Sequence, residues 1–417
     1  MAIHIPPTLR DRRFRLYWIS MILVWGGTQM MIWSLLWQIR SLTDQPLALG
    51  VVGAIRVVPT IVFSLVAGSV ADVVNRRKIL IVLELVMAAI AITLAALTFS
   101  GSIQLVAIYV SIALLATSST FELPARQAII PNLVADKDLP NAFSMQVIAS
   151  QAGALLGPIL SGLLIGRVGQ FAPYLLSGVF FLSVVVVLLV IGPIAQQYEP
   201  DRQQARVSIP AIRQGIHFTF SNPLILSSML LDFFATFLTR ADTLMPIVAR
   251  DILNVGAEAY GLLSSAQAIG ATLAAAVISQ LRTIRRQGVV LLISISLISF
   301  GTIIFGLSRT FILTMAALIL VGASDSVSAV IRNTIRQLQT PDRLRGRVVS
   351  VNQIFFMGGP QLGELRAGMV AQFTTVTFAI VSGGIACLIA LAWIDRRWPQ
   401  LRAYLGTEAI SATEGMD

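Results

Sequence analysis

Three acids interrupt long apolar runs of this chain, and each has an arginine one or two helical turns away: Asp232 with Arg240, Asp325 with Arg332, and Glu122 with Arg126. A charged side chain at the centre of a bilayer costs roughly 3 kcal/mol on insertion scales, so such groups pair with one another or face water. The chemistry open to them is reversible proton binding and the exchange of ion-pair partners. Asp232 is the first candidate for proton coupling and Asp325 the second, with a fixed salt bridge to a neighbouring span as the alternative for Asp232. Glu122 and Arg126, four residues apart, read as a local ion pair at a gate. Asp232, Thr236, Thr239, Arg240 and Thr243 fall within about one third of a helix circumference at 3.6 residues per turn, which predicts a polar face on one span. Ser324, Asp325, Ser328 and Arg332 repeat that pattern on another. Glu84 reads as a local pair or a snorkelling side chain, and Arg56, Glu364 and Arg366 are further charges within apolar stretches.

Other chemistries find little support. The two histidines, His4 and His217, are too isolated for a metal site or a catalytic triad, and the single cysteine, Cys387, reads as an apolar filler. The only lysines are Lys78 and Lys137, neither preceded by glycine, so there is no Gly-Lys-Ser/Thr phosphate loop. The expectation is a protein that is not an enzyme, with no metal and no cofactor.

The elements that must position these residues are apolar spans. With 417 residues, 56% hydrophobic and only 12% charged, the chain resembles a polytopic membrane protein far more than a soluble domain. Twelve stretches reach the roughly 20 residues needed to cross a bilayer. They run over 15–40, 47–73, 78–99, 103–124, 140–166 and 171–194, then 223–249, 257–281, 288–308, 310–331, 347–372 and 376–395. Of the thirty lysines and arginines, twenty-three fall in alternate gaps or before the first span and after the last, and four (Arg40, Arg167, Arg250 and Arg309) fall in the opposite gaps. Positive loops stay cytoplasmic, which places both termini inside a plasma (inner) membrane. The net charge of +10 is dispersed over seven short gaps, so it reads as topology rather than as a nucleic-acid surface.

The spans divide as 1–195 and 223–398, with a polar linker at 196–222 and a tail at 399–417. Within the linker, Ile209, Ile212, Ile216 and Phe220 recur at helical spacing, fitting either a surface helix or a plain tether. The halves also echo each other: Arg126 and Arg332, like Asp136 and Asp342, are 206 apart, while Gly153 and Gly358 are 205 apart. This register predicts an all-α membrane protein of two pseudo-symmetric six-helix bundles in the same orientation.

Between spans 2 and 3 the chain reads GSVADVVNRRK, Gly68 to Lys78, which resembles the loop motif of the major facilitator superfamily. The resemblance implies a cytoplasmic latch made by Gly68, Asp72, Arg76 and Arg77, with Asn75 where the superfamily usually has glycine. Asn tolerates the left-handed turn conformation. Span 5 contains GALLGPILSG, Gly153 to Gly162, similar to the antiporter motif of the superfamily's exporters. Gly153, Gly157 and Gly162 would let another helix approach closely, and Pro158 would bend the span. FELPARQAIIPNLV, 121–134, and IRQLQTPDRLRGRV, 335–348, resemble loops of the twelve-span drug:proton antiporter branch that includes enterobactin-exporter-like and macrolide-efflux-like proteins.

For a substrate, Trp25, Gln29 and Trp33 step four residues apart along span 1, and Gln353 and Phe356 share a face of span 11. With Thr236 and Arg240 they form the expected lining of a cavity for an amphiphilic or weakly charged molecule. The resemblance implies a monomeric secondary transporter that exports a drug, macrolide-like compound or siderophore-like metabolite in exchange for protons. A facilitator or importer of the same fold, or a membrane sensor or scaffold, are the rival readings. The partners expected are the small-molecule substrate, protons and the lipid bilayer.

Overall fold

The computed structural model describes residues 7–194, 216–281 and 284–406; the side chains at 7, 65, 69, 71–72, 342–343, 345–347, 349–351 and 353–357 lie outside that description. Twelve long helices account for most of it: α1 (Arg12–Leu42), α2 (Pro46–Val73), α3 (Arg76–Phe99), α4 (Leu105–Ile129), α5 (Leu139–Arg167), α6 (Ala172–Ile191), α7 (Pro223–Thr239), α8 (Ala257–Ile278), α9 (Gln287–Leu307), α10 (Phe311–Leu338), α11 (Asp342–Phe373) and α12 (Val376–Arg397). Among the described residues, eleven helical segments are long and apolar enough to cross a membrane. The twelfth long helix, α11, has 32 residues.

Local sequence explains where the helices start. Asp11, Asn75, Asn222 and Thr375 cap α1, α3, α7 and α12 by accepting hydrogen bonds from backbone N–H groups of the first turn. Proline opens α2 at Pro46 and α7 at Pro223, where a missing N–H leaves no helical partner unmet. Large apolar side chains such as Val106, Val186, Ile312 and Phe373 point outward, as expected where hydrocarbon is the solvent.

The helices form two compact units, unit 1 drawn from Met1–Tyr198 with Met245–Ser265 and unit 2 from Glu199–Leu244 with Ala266–Asp417. In unit 1, α1 packs on α5 and α6, α2 on α4, and α3 on α4 and α6. Phe14, Tyr17, Met21, Leu80, Ala125, Ala149 and Leu188 fill its core at one end. In unit 2, α9 packs on α10 and α12, and α7 on α11 and α12, around Leu231, Leu291, Ile295, Ile331, Cys387 and Leu391. A short helix, α13 (Pro399–Ala403), brings Leu401 and Tyr404 into that same core, and the Gly288 N–H donates to the Tyr404 carbonyl at 3.0 Å.

Three expectations change. The seventh span is not one helix: α7 ends at Thr239, and 3-10 (Asp242–Leu244), α (Met245–Ile247) and π (Val248–Ile252) turns follow. Arg240 is extended at φ −67° and ψ 123°, and Pro246 cannot supply the N–H that a continuous helix would need. Second, α4 and α10 continue past their apolar runs to Ile129 and Leu338, so Arg126, Arg332 and Arg336 lie on helices rather than in gaps. Third, Asn75 is not left-handed; at φ −59° it serves as the N-cap of α3, accepting from the Lys78 N–H at 3.1 Å. The linker helix expected over 196–222 falls largely outside the described residues, of which 216–221 are helical.

Candidate functional site

Unit 2 gathers six charged residues from α7, the turns after it, and α10. Asp232, 2% exposed on α7, lies 3.1 Å from the Arg332 guanidinium and 3.7 Å from that of Arg336. Arg332, equally buried, also donates to Ser328 Oγ at 2.6 Å and reaches Asp325 at 3.5 Å. The Asp325 side chain is 37% exposed, so one guanidinium bridges a sealed acid and an open one. Arg336 continues the line to α11 by donating to Asn352 Oδ1 at 2.6 Å. At the end of α7, Arg240 pairs with Asp242 at 2.7 Å, donates to Gln267 Oε1 at 3.2 Å and lies 3.8 Å from Asp325. Gln267 in turn donates to Asp242 at 2.9 Å. Three acids and three arginines thus touch one another, and the buried Glu364 of α11 lies near enough to act electrostatically on Arg240 as well.

The sequence-derived pairs are thus rearranged. Asp325 and Arg332 do meet on one face of α10. Asp232 does not meet Arg240; its counterions come from α10. Thr236 and Thr239 turn their hydroxyls back to the carbonyls of Asp232 and Ala235, four residues earlier, at 2.8 and 2.6 Å. Thr243 has left the helix, so the five-residue polar stripe does not exist as such. Sequence reasoning missed Arg336, Asp242 and Gln267. The spacing of Ser328, Arg332 and Arg336 at successive fourth positions could have placed Arg336 on the Asp325 face.

Unit 1 holds a smaller and more deeply buried group. Arg126 of α4 donates to Glu122, one turn earlier, and to Glu84 of α3. All three are buried, at 2%, 5% and 0% exposure. The expected Glu122–Arg126 pair is present, but Glu84 neither snorkels nor makes a separate local pair, because it faces Arg126 in the interior. The Tyr17 hydroxyl of α1 donates to the Arg126 carbonyl at 2.9 Å, tying a third helix to the group.

The loop arginines hold the ends of neighbouring helices. Arg76 donates to the Ala128 carbonyl of α4 at 3.0 Å and to Asn132 at 3.3 Å, and Arg77 donates to the Leu188 carbonyl of α6 at 2.8 Å. Both carbonyls lie in the last turn of their helix, where no intrahelical donor remains. The Asp72 side chain lies outside the described residues. A Cβ at Gly68 would meet nothing within 4 Å, so this glycine does not mark a close helix contact among the described residues.

The glycines of α5 do mark one. A Cβ at Gly153 would fall 2.6 Å from Trp25 Cβ, and one at Gly157 would fall 2.7 Å from Gln29 Cβ, so α1 and α5 touch along backbone. Ser34 and Ser161 share a hydrogen bond at 2.7 Å on the same seam. At Gly162, the partner is Gly261 of α8, whose Cα would lie 2.8 Å from an added Cβ, and Pro158 sits within the helix between these contacts. Trp25 and Gln29 are half-buried beside this seam. The Trp33 carbonyl accepts from the Tyr260 hydroxyl at 2.9 Å and its ring meets Tyr260 edge-on. Thr236 packs against α11, where a Cβ at Gly359 would fall 2.6 Å from its Oγ1. The side chains of Gln353 and Phe356 lie outside the described residues.

A polytopic all-α chain with buried ion pairs across its helices and a glycine seam between them defines a membrane protein of the major facilitator fold. The solved structures agree: a bacterial homologue of the human lysosomal transporter Spinster in an inward-facing conformation matches with a TM-score of 0.74 at 13% identity, over 95% of this chain and 98% of that one. The nucleoside transporter NupG matches with a TM-score of 0.66 at 15% identity, over 94% and 99%. A D-xylose-proton symporter matches with 0.67 at 13%, over 94% and 98%. Over residues 5–408 the chain belongs to the major facilitator family described as transmembrane secretion effector. Its relatives include the enterobactin exporter EntS of Citrobacter koseri, 28% identical over 259 residues, 61% of each chain. The enterobactin exporter EntS of Shigella boydii serotype 18 is 27% identical over 277 residues, 64% of this chain and 65% of its own. The matched stretch therefore spans less than two thirds of the length of these relatives.

Proposed function

We propose that this protein is a secondary active transporter that exports a small amphiphilic molecule in exchange for protons, by alternating access and without a cofactor. The observation that carries the reading is the Asp232–Arg332–Asp325 bridge, in which one guanidinium touches an acid sealed within unit 2 and an acid open at its surface. Protonation of either acid frees Arg332 to favour the other, which gives proton binding a direct means of changing the contact between α7 and α10. Export rather than import is supported by the glycine and proline seam of α5 and by the relatives named as enterobactin exporters. Those relatives favour a siderophore-like metabolite, and drugs and macrolide-like compounds share the same amphiphilic chemistry. Trp25, Gln29 and Trp33 are the proposed substrate contacts of unit 1. Asp72, with Arg76 and Arg77, is the proposed latch. The arginine distribution supports an inner-membrane placement with both termini cytoplasmic, and the protein acts as a monomer.

The test is transport by the full chain in proteoliposomes, with candidate metabolites first screened by secretion from cells with and without the gene. An imposed pH gradient should drive accumulation, and Asp232→Asn should abolish accumulation while leaving counterflow. Accumulation that ignores the gradient removes proton coupling, and undiminished accumulation by Asp232→Asn removes the residue assignment. Uptake toward the side expected for an importer reverses the direction.

A further inference from the structure

Glu84, Glu122 and Arg126 are close together, almost wholly removed from solvent, and unequal in number of charges. Arg126 keeps its proton under all physiological conditions, so two ionised carboxylates around it would leave a net negative charge in the interior of unit 1. Burying an ion without a counterion is strongly unfavourable, and each carboxylate beyond the first has no cation left to face.

Among the described residues, Arg126 is the cation that pairs with Glu84 and Glu122, and Lys78 at the start of α3 is exposed. Α3 packs against α4, α6 and α2. From α4 come Glu122 and Arg126 themselves. From α1, Tyr17 spends its hydroxyl proton on the Arg126 carbonyl at 2.9 Å. On α6 the only titratable side chain is Tyr174, whose hydroxyl donates to Gln38 at 2.6 Å. On α3 itself, Arg77 donates to the Leu188 carbonyl and Arg76 to the Ala128 carbonyl. The charged residues of α2 are Arg56 and Asp72. Within the group, Glu84 Oε2 and Arg126 Nη1 are buried without a hydrogen-bond partner, so a carboxyl oxygen is left open beside a guanidinium N–H that is also unused.

We propose that Glu84, Glu122 and Arg126 form a proton-binding site that holds one proton between the two carboxyl groups, leaving a neutral acid beside a carboxylate–guanidinium pair. Its ligand is the proton alone. On the antiport reading above, on which this further role rests, the site is a second place where transport and proton movement meet, in unit 1 rather than around Asp232. Rearrangement of α3 against α4 that separates Glu84 from Arg126 changes which carboxylate the guanidinium serves, and so changes the affinity for the proton.

Infrared difference spectroscopy on the purified full chain reads the proton directly, through the carbonyl stretch of a protonated carboxyl in a pH titration. The wild type should show a band that Glu84→Gln removes, and Glu122→Gln should remove the same band, because either leaves one carboxylate matched to Arg126. Asp232→Asn should leave the band in place. A wild type in which neither glutamine substitution removes a band overturns the site. Thermal unfolding of each variant confirms that it is folded, and Glu84→Asp, which keeps the acid, should restore the band. In proteoliposomes, Glu84→Gln should lose at least tenfold of its pH-driven accumulation while keeping counterflow; unchanged accumulation would overturn the coupling role. If the wild type itself ignores the pH gradient, antiport fails, whereas the infrared bands still decide whether the three residues hold a proton.

Discussion

Replacing Arg332 with methionine keeps much of the side-chain volume and deletes the guanidinium that touches Ser328 at 2.6 Å, Asp232 at 3.1 Å and Asp325 at 3.5 Å. Asp232, 2% exposed, is left with Arg336 at 3.7 Å. Two magnitudes compete. Loss of an ordinary interhelical hydrogen bond in a membrane protein averages roughly 0.6 kcal/mol, whereas leaving a buried charge without its partner costs about 3–5 kcal/mol. Proton uptake limits the second effect, because protonating a carboxyl of ordinary affinity at pH 7 costs about 4 kcal/mol. With Arg336 retained, the expected destabilisation is about 3 kcal/mol, read by equilibrium unfolding in mixed micelles at pH 7. The proton ceiling falls by about 1.4 kcal/mol for each pH unit below 7, so the gap between wild type and variant should narrow toward pH 5. Adding Asp232→Asn to Arg332→Met should cost less than the two single changes together, with a coupling of about 2 kcal/mol. A single-variant cost below 1 kcal/mol, an additive double variant, or a gap that widens as pH falls would refute the reasoning.

Two further outcomes test the seam and the cap. Gly157→Leu should fail to accumulate as folded protein, because even its Cβ would fall 2.7 Å from Gln29 Cβ, while Gly68→Ala, with nothing within 4 Å, should match wild type in yield and in size-exclusion profile. Asn75→Ala should lower unfolding stability by about 1 kcal/mol through loss of the Lys78 N–H acceptor, and Asn75→Gly by only a few tenths. Equal effects from alanine and glycine would show that the capping oxygen contributes nothing.

The spans were legible because hydrocarbon leaves every backbone group to be met internally, and a long apolar run meets them as a helix. Their ends were less legible. Arg126, Arg332 and Arg336 terminate an apolar window, yet helix continues through them because their guanidiniums find acids on neighbouring turns and helices. The break after Thr239 left only one local trace, Pro246, since the polar spacing from Asp232 to Thr243 fits an unbroken helix equally well. Periodicity placed Asp325 beside Arg332, seven residues away on one helix. It could not join Asp232 to Arg332 across a hundred residues, nor Glu84 to Arg126 across forty-two, because such pairs depend on which helices pack together. The α5 glycines were readable for a related reason, as a missing side chain at every fourth position matters only where another backbone fills the space.

The repeat gives these two groups a common origin in register and a different outcome in charge. Arg126 and Arg332, 206 residues apart, are both 2% exposed and both form the centre of their unit's buried ion pairs. One turn before each stands the residue that the same offset relates: Glu122 in unit 1 and Ser328 in unit 2, each accepting from its arginine. The remaining acids break the correspondence. Arg332 draws its counterions from Asp232 of α7 and from Asp325 on its own helix, while Arg126 draws Glu84 from α3. In unit 2 the matching position carries a neutral hydroxyl, that of Ser328. In unit 1 a carboxyl at the matching position makes the acids exceed the arginine by one, and a buried excess of one carboxyl is relieved by one proton. The two halves thus share an arginine scaffold and differ in how a proton acts on it: on the readings proposed above, protonation of Asp232 or Asp325 re-pairs Arg332 in unit 2, while Glu84 and Glu122 share one proton beside Arg126 in unit 1.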